Sequence, residues 1–207
     1  MTTLAMKFGG TSVGSPDALS QAASIVLEQA KQWDRLLVVV SAMSGVTDAL
    51  SRGALTAASG DDRTYRSVVA ELRVRHYRAV DDLLKPDGER PQLLATVDDY
   101  LDEYAAFCHS VLVLGEVTPR AMDAITSLGE RLNARILAAL IRQRGAKSEA
   151  VDASELIVTD DTFQNAAPLM DASCKRSTER LAPLLGKKVI PVITGFIGGT
   201  ESGITTT

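Results

Sequence analysis

The stretch from Leu4 to Val40 constrains the fold more than any other part of the chain. Leu4 to Phe8 is a short apolar run ending in Gly9-Gly10, which marks a strand delivered into a tight loop. Ser15-Pro16-Asp17 then supplies a helix N-cap, a proline at the first helical position and an acid in the first turn. Ala22, Ile25, Val26 and Ala30 follow at helical spacing, so a helix is predicted to about Gln32. Leu36 to Val40 is an unbroken run of Leu and Val, the pattern of a strand covered on both faces. Strand, glycine loop, helix and strand form a βαβ unit, which requires a parallel sheet and a right-handed crossover.

The middle of the chain has a different rhythm. Tyr65, Val68, Val69, Leu72, His76, Val80 and Leu83 recur every three or four residues, and so do Leu94, Val97, Leu101, Tyr104, Cys108 and Val111. Lys85-Pro86-Asp87-Gly88 between them is a turn signal, so an antiparallel helical hairpin is expected, inserted into the sheet or laid over it at about 60–115. Thr118-Pro119 restarts the chain with another cap and proline, and Ser127 with Glu130 reads as a capping box opening a helix through Leu132, Ile136 and Leu140. A short strand over Ser148 to Asp152, a helix over Ala172 to Leu184 and a strand over Val189 to Ile193 complete an α/β chain. The tail is broken into turns by Gly195, Gly198, Gly199 and Gly203.

Composition removes several function classes. With 207 residues, 45% hydrophobic and a net charge of −4, the chain has the balance of a soluble globular protein. Lys and Arg are scattered, so no electrostatic track for nucleic acid is expected. The apolar runs are too short to cross a bilayer, and no signal peptide is evident before the first strand. Cys108 and Cys174 each fall in a predicted helix, so both are expected to be packing residues in a reducing cytoplasm, with no metal site. His76 and His109 stand apart from any carboxylate or cysteine cluster and are expected to fill surface or satisfied packing roles.

Four segments could carry chemistry. In Lys7-Phe8-Gly9-Gly10-Thr11-Ser12 the glycines let backbone N–H groups converge on an anion, with Lys7 as a mobile charge above them and a helix N-terminus beyond. A plain strand-ending lysine and Gly-Gly turn is the alternative. Ser41 to Asp48 follows the second strand, and in an open parallel sheet both loops open on the rim where ligands bind. Ser41 and Thr47 could bond a small polar ligand there, or Ser44 or Thr47 could merely cap the next helix. Glu130 is either half of a capping box or an acidic partner for a substrate ammonium group; Gly129 beside it hints at close approach by a neighbour, and Arg131 reads as a solvated charge. Thr194 to Gly199, with Ile204 to Thr207, is either a phosphate or substrate loop or a hairpin with an edge strand.

Taken in order, Lys7-Phe8-Gly9-Gly10-Thr11-Ser12-Val13, Ser41-Ala42-Met43-Ser44-Gly45-Val46-Thr47, Ser127-Leu128-Gly129-Glu130-Arg131-Leu132, and Gly195-Phe196-Ile197-Gly198 with Thr205-Thr206-Thr207 resemble the signature segments of aspartokinases, in the amino acid kinase superfamily. The resemblance implies a three-layer α/β sandwich with a mainly parallel central sheet and a helical hairpin insertion. It implies phosphoryl transfer from MgATP to the β-carboxylate of L-aspartate, giving 4-phospho-L-aspartate on the way to lysine, threonine and methionine. By position, Lys7 resembles the catalytic lysine that neutralises phosphate charge, and Gly9, Gly10, Thr11 and Ser12 the phosphate loop. Ser41, Thr47, Glu130, Phe196, Thr205 and Thr206 resemble the aspartate pocket, with Glu130 facing the ammonium.

Residues 1–207 then correspond to the amino-terminal, substrate-binding part of the kinase domain. In the family the threonine run continues into an arginine-containing, glycine-rich serine-aspartate segment, a nucleotide-binding part and usually regulatory ACT domains, which these residues lack. The resemblance leads us to expect little activity from this chain alone, and a homo-oligomer in the full-length form. The alternatives are another superfamily member, acting on acetylglutamate, glutamate or a nucleoside monophosphate, and a non-catalytic interaction module.

Overall fold

The computed structural model describes residues 2–207. The chain runs β1 (Thr3–Phe8), a 3-10 turn (Gly10–Val13), α1 (Pro16–Gln29), β2 (Arg35–Val40), α2 (Val46–Ala58), α3 (Asp62–Leu83), α4 (Arg90–Leu114) and α5 (Pro119–Gln143). It continues with β3 (Ser148–Val151), a second 3-10 turn (Ala153–Glu155), β4 (Val158–Thr159), α6 (Met170–Gly186), β5 (Ile190–Thr194), β6 (Gly198–Thr200) and β7 (Thr205–Thr206). The main sheet is wholly parallel, in the order β1-β2-β5-β3. A small second sheet, β4-β6-β7, pairs β4 parallel with β6 and closes β6 on β7 as a hairpin.

Alternation along the strands divides the apolar residues between two faces. Phe8, Leu36, Val38, Val40, Ile190 and Val192 pack with α1 and α5, while Leu37, Val39, Val151 and Ile193 pack with α6. Helix, sheet and helix make the expected three layers. The second strand is covered on both faces, although more fully on the α1–α5 side. A third apolar cluster joins α2, α3 and α4 to the first half of α5, so the insertion is a helical layer of its own.

The hairpin expected at about 60–115 is present as α3 and α4, and α2, which follows the second loop directly, packs into the same helical layer. One sequence expectation gives way here. The Ser127–Glu130 capping box does not exist. A capping box needs the free N–H groups of a first turn, and α5 already begins at Pro119, which leaves Ser127 deep inside the helix. Thr118 caps it instead, its Oγ1 accepting the Ala121 N–H at 3.2 Å, while Ser127 Oγ donates to Ala124 O at 2.8 Å. Of the two cysteines, Cys108 is buried as expected and Cys174 is exposed on α6.

His76 departs from a satisfied packing role. It is fully buried in α3, with Nδ1 donating to Leu72 O at 2.7 Å and Nε2 lacking any partner. Burial pulls its pKa down to about 4, so the ring is neutral at pH 7. A folded pKa below the unfolded value of 6.5 means that the unfolded chain takes the proton first as pH falls. Stability from this residue is therefore complete above pH 6.5 and is lost between 6.5 and about 4. The loss should reach about 3 kcal/mol at the acid end of that window. Urea unfolding at about pH 7.5 and about pH 4 should show it in the wild type and not in His76→Leu. Equal losses in the two proteins would contradict it.

Candidate active site

The register of the main sheet assembles the site. Phe8 pairs with Val40 and Val40 with Thr194, so the chain leaves β1, β2 and β5 at adjacent points on one rim. Ligands of open parallel sheets bind beyond these carboxyl ends. A cleft of about 480 Å³ lies there, between the loops, the start of α2 and the middle of α5. Gly10, Ser41, Thr47, Glu130 and Phe196 line it, all singled out from the sequence. Ser44, Asp48, Thr126 and Thr207 line it as well.

Glu130 is the most informative group. It is only 6% exposed, its Oε1 accepts the Ala42 N–H at 3.2 Å, and no cation among the described residues pairs with it. Burial raises its pKa, against the opposing pull of the Ala42 amide. Such a carboxylate is costly to keep, and a cationic ligand would satisfy it. Gly129 lets α5 carry it so close to the second loop: a Cβ there would sit 2.9 Å from Ala42 Cβ and 3.2 Å from Val46 Cγ1.

The second loop presents backbone rather than side chain. Neither Ser44 nor Thr47 caps α2; Gly45 stands at the N-cap in the left-handed conformation, φ 78°, and offers no side-chain acceptor. The first-turn N–H groups of α2 are therefore left without a capping side chain beside the cleft, where the helix dipole favours an anion. Ser41 is buried, its N–H donating to Phe8 O at 3.1 Å and its C=O accepting from Asn133 Nδ2 at 2.7 Å. That pair of bonds ties β1, β2 and α5 together directly under the site.

At the end of β1 Lys7 is exposed, with Nζ 5.2 Å from the centroid of the Phe196 ring. Phe196 has a positive φ of 56° and leaves 73% of its surface exposed. Strain and exposure together in a large aromatic residue point to a functional constraint. Cation–π contact thus links Lys7, which does not itself line the cleft, to a ring that does. The glycine loop differs from the expected nest: Gly9 is extended and the chain enters a 3-10 turn closed by Ser12 N–H to Gly9 O, 2.9 Å. The N–H groups of Gly10 and Thr11 open that turn, while the Thr11 and Ser12 side chains are exposed outside the cleft.

Thr205 and Thr206 also lie outside it. Thr205 Oγ1 accepts from Arg131 Nη2 at 2.9 Å, and Thr206 is buried with its Oγ1 2.7 Å from that of Thr159. Of the run, only Thr207 lines the cleft. Arg131 is no solvated surface charge: its Nε donates to Asp152 Oδ2 at 2.5 Å, with both side chains 15% exposed. Burial opposes ionisation of Asp152, yet Arg131 and the Ser154 hydrogen bonds outweigh it and hold the carboxyl below its usual range. Sequence reasoning missed Asp123, Asp48 and Thr126. The one available signal was helical spacing, since Asp123 and Thr126 precede Glu130 by seven and four residues on one face of α5.

No group of three or more His, Cys, Asp or Glu side chains among the described residues could together hold a metal ion. No helix among them is long and apolar enough to cross a membrane.

The sequence profile of the amino acid kinase family matches residues 2–207. The bifunctional aspartokinase/homoserine dehydrogenase 1, chloroplastic, of Arabidopsis thaliana is 32% identical over 201 residues, covering 97% of this chain and 22% of that protein. The aspartokinase of Schizosaccharomyces pombe is 29% identical over 207 residues, covering 96% of this chain and 39% of its own length. The chain therefore spans between about a fifth and two-fifths of these curated relatives. Among solved structures, E. coli aspartokinase III in complex with aspartate and ADP superposes with a TM-score of 0.86 at 26% identity, over all of this chain and 43% of that one.

Proposed function

This chain belongs to the amino acid kinase family, and on that premise we propose that its cleft grips L-aspartate for phosphorylation by ATP. The observation that carries the reading is Glu130: a buried carboxylate with no cation among the described residues, facing a cleft that Lys7 approaches through Phe196 and that open backbone N–H groups border. A ligand suited to both ends is cationic at one and anionic at the other, as an acidic amino acid is. Relatives named aspartokinases, and a similar structure that holds aspartate and ADP, support the choice.

The chemistry asks little of the protein beyond positioning. An aspartate side chain has a pKa of about 3.9, so the nucleophile is already ionised at neutral pH and no general base is required. A β-carboxylate oxygen bonds to the γ-phosphorus, the bond from that phosphorus to the β,γ-bridging oxygen breaks, and ADP leaves with the electron pair. The difficulty is holding one anion against another. Glu130 would fix the ammonium, Ser41 and Thr47 the polar body of the ligand, and Lys7 with the Gly10 and Thr11 amides would offset phosphate charge. With no side-chain cage for it among the described residues, Mg²⁺ would ride on the nucleotide's own oxygens. This reading carries with it a cytoplasmic setting and homo-oligomeric assembly.

Calorimetric titration of the chain with L-aspartate, L-glutamate, N-acetyl-L-glutamate and UMP tests the proposal by binding alone. L-Aspartate should bind most tightly, and N-acetyl-L-glutamate, which lacks the ammonium, should not compete. Preferential binding of UMP or of the acetylated amino acid would replace aspartate with that ligand.

A further inference from the structure

The three terminal threonines are held in place separately, and two of their anchors stand on the helix that carries Glu130. Arg131 holds Thr205 and Thr159 holds Thr206, as described. Asp123 takes both polar groups of Thr207, Oδ2 accepting its N–H at 3.1 Å and Oδ1 its hydroxyl at 2.5 Å. The same Oδ2 accepts the Gln164 N–H at 2.9 Å. Asp123 is fully buried, and no ion pair involves it among the described residues. A buried carboxylate is tolerated when fixed donors replace its water, and here three donors from two separate segments do so.

Thr207 and Glu130 line the cleft, and Asp123 stands behind them outside it. Seven residues are about two helical turns, so Asp123 and Glu130 share a face of α5. One carboxylate can reach the ligand, while the other holds Thr207, which lines the same cleft. We infer that Asp123 is a positioning residue of this cleft: it fixes the Thr207 wall relative to Glu130 and so sets the width of the subsite that grips the amino acid. The inference rests on the reading of the cleft given above.

The test compares Asp123→Ala, Asp123→Asn, Thr207→Val and the Asp123→Ala/Thr207→Val double variant. L-Aspartate affinity, thermal midpoint and amide hydrogen exchange are measured for each. Asp123→Ala should weaken binding about tenfold and Thr207→Val about threefold, with the double variant no weaker than Asp123→Ala, because one interaction is lost in each case. Asparagine can place Oδ1 against both N–H groups and donate Nδ2 to the Thr207 hydroxyl, so Asp123→Asn should restore affinity to within about twofold. A lower midpoint with unchanged affinity, or additive losses, would reduce Asp123 to a structural bond and overturn the inference. Failure of the wild type to bind any amino acid would instead sink the reading of the cleft. Exchange then decides the inference: in Asp123→Ala the Thr207 and Gln164 amides should exchange at least about tenfold faster while those of β2 and β5 do not change. Unaltered exchange at Thr207 would overturn it. Should Asp123→Ala fail to fold, the Thr207→Val and Asp123→Asn variants decide the matter by the same criteria.

Discussion

In a form of the enzyme that also carries the nucleotide-binding part, replacing Lys7 by alanine is expected to slow phosphoryl transfer about a thousandfold while changing L-aspartate affinity by less than about threefold. The asymmetry follows from where the ammonium would stand on the proposed reading. Lys7 is exposed over Phe196 and does not itself line the cleft that Glu130 lines, so it would meet the charge of the transferring group rather than the bound amino acid. Groups that meet charge only as it develops raise kcat, whereas groups that meet the resting ligand lower KM. Folding should be indifferent, because an exposed side chain buries little. Lys7→Arg, which keeps the charge, should recover part of the rate. Retention of more than about a tenth of wild-type kcat by Lys7→Ala would remove the electrostatic role.

Glu130→Gln should move binding and stability in opposite directions. Glutamine keeps an oxygen for the Ala42 N–H but loses the charge. Affinity for L-aspartate should fall about a hundredfold, since a desolvated ammonium loses its ionic partner. Stability in the absence of ligand should rise, because the cost of burying a lone carboxylate disappears. The raised pKa adds a pH signature with a definite sign. Below it the carboxyl is protonated and cannot hold an ammonium, so wild-type affinity should decline on acidification beginning above the ordinary glutamate range, and Glu130→Gln should lack that decline. A glutamine variant that binds aspartate as well as the wild type would end the ammonium assignment.

How much of this is legible without the fold depends on distance along the chain. β1, α1 and β2 can be read because each signal lies within a few residues: an apolar run, a Gly-Gly break, a Ser-Pro-Asp start. The same locality misleads at Ser127 and Glu130, whose spacing imitates a helix start inside a helix already begun at Pro119. β4 and β7 are two residues long and β6 three, too short for any alternation to show. Glu130, Phe196 and Lys7 stand out by resemblance to a family, and pattern alone leaves each with an ordinary explanation. Asp123 has no signal beyond its helical spacing to Glu130. Its partners lie 41 and 84 positions away, and only the folded backbone brings them together.

The pairing of β2 with β5 has a consequence for synthesis. Val40 and Thr194 are neighbours in the sheet although most of the chain separates them. Closing so long a loop costs entropy before any contact repays it, which makes this step slow relative to helix formation. On the ribosome, β1, α1 and the helical layer can collapse early, but the middle of the sheet must wait for its last strand to emerge. Until then the edge of β2 that will receive β5 is open to other chains, a hazard for which folding helpers exist.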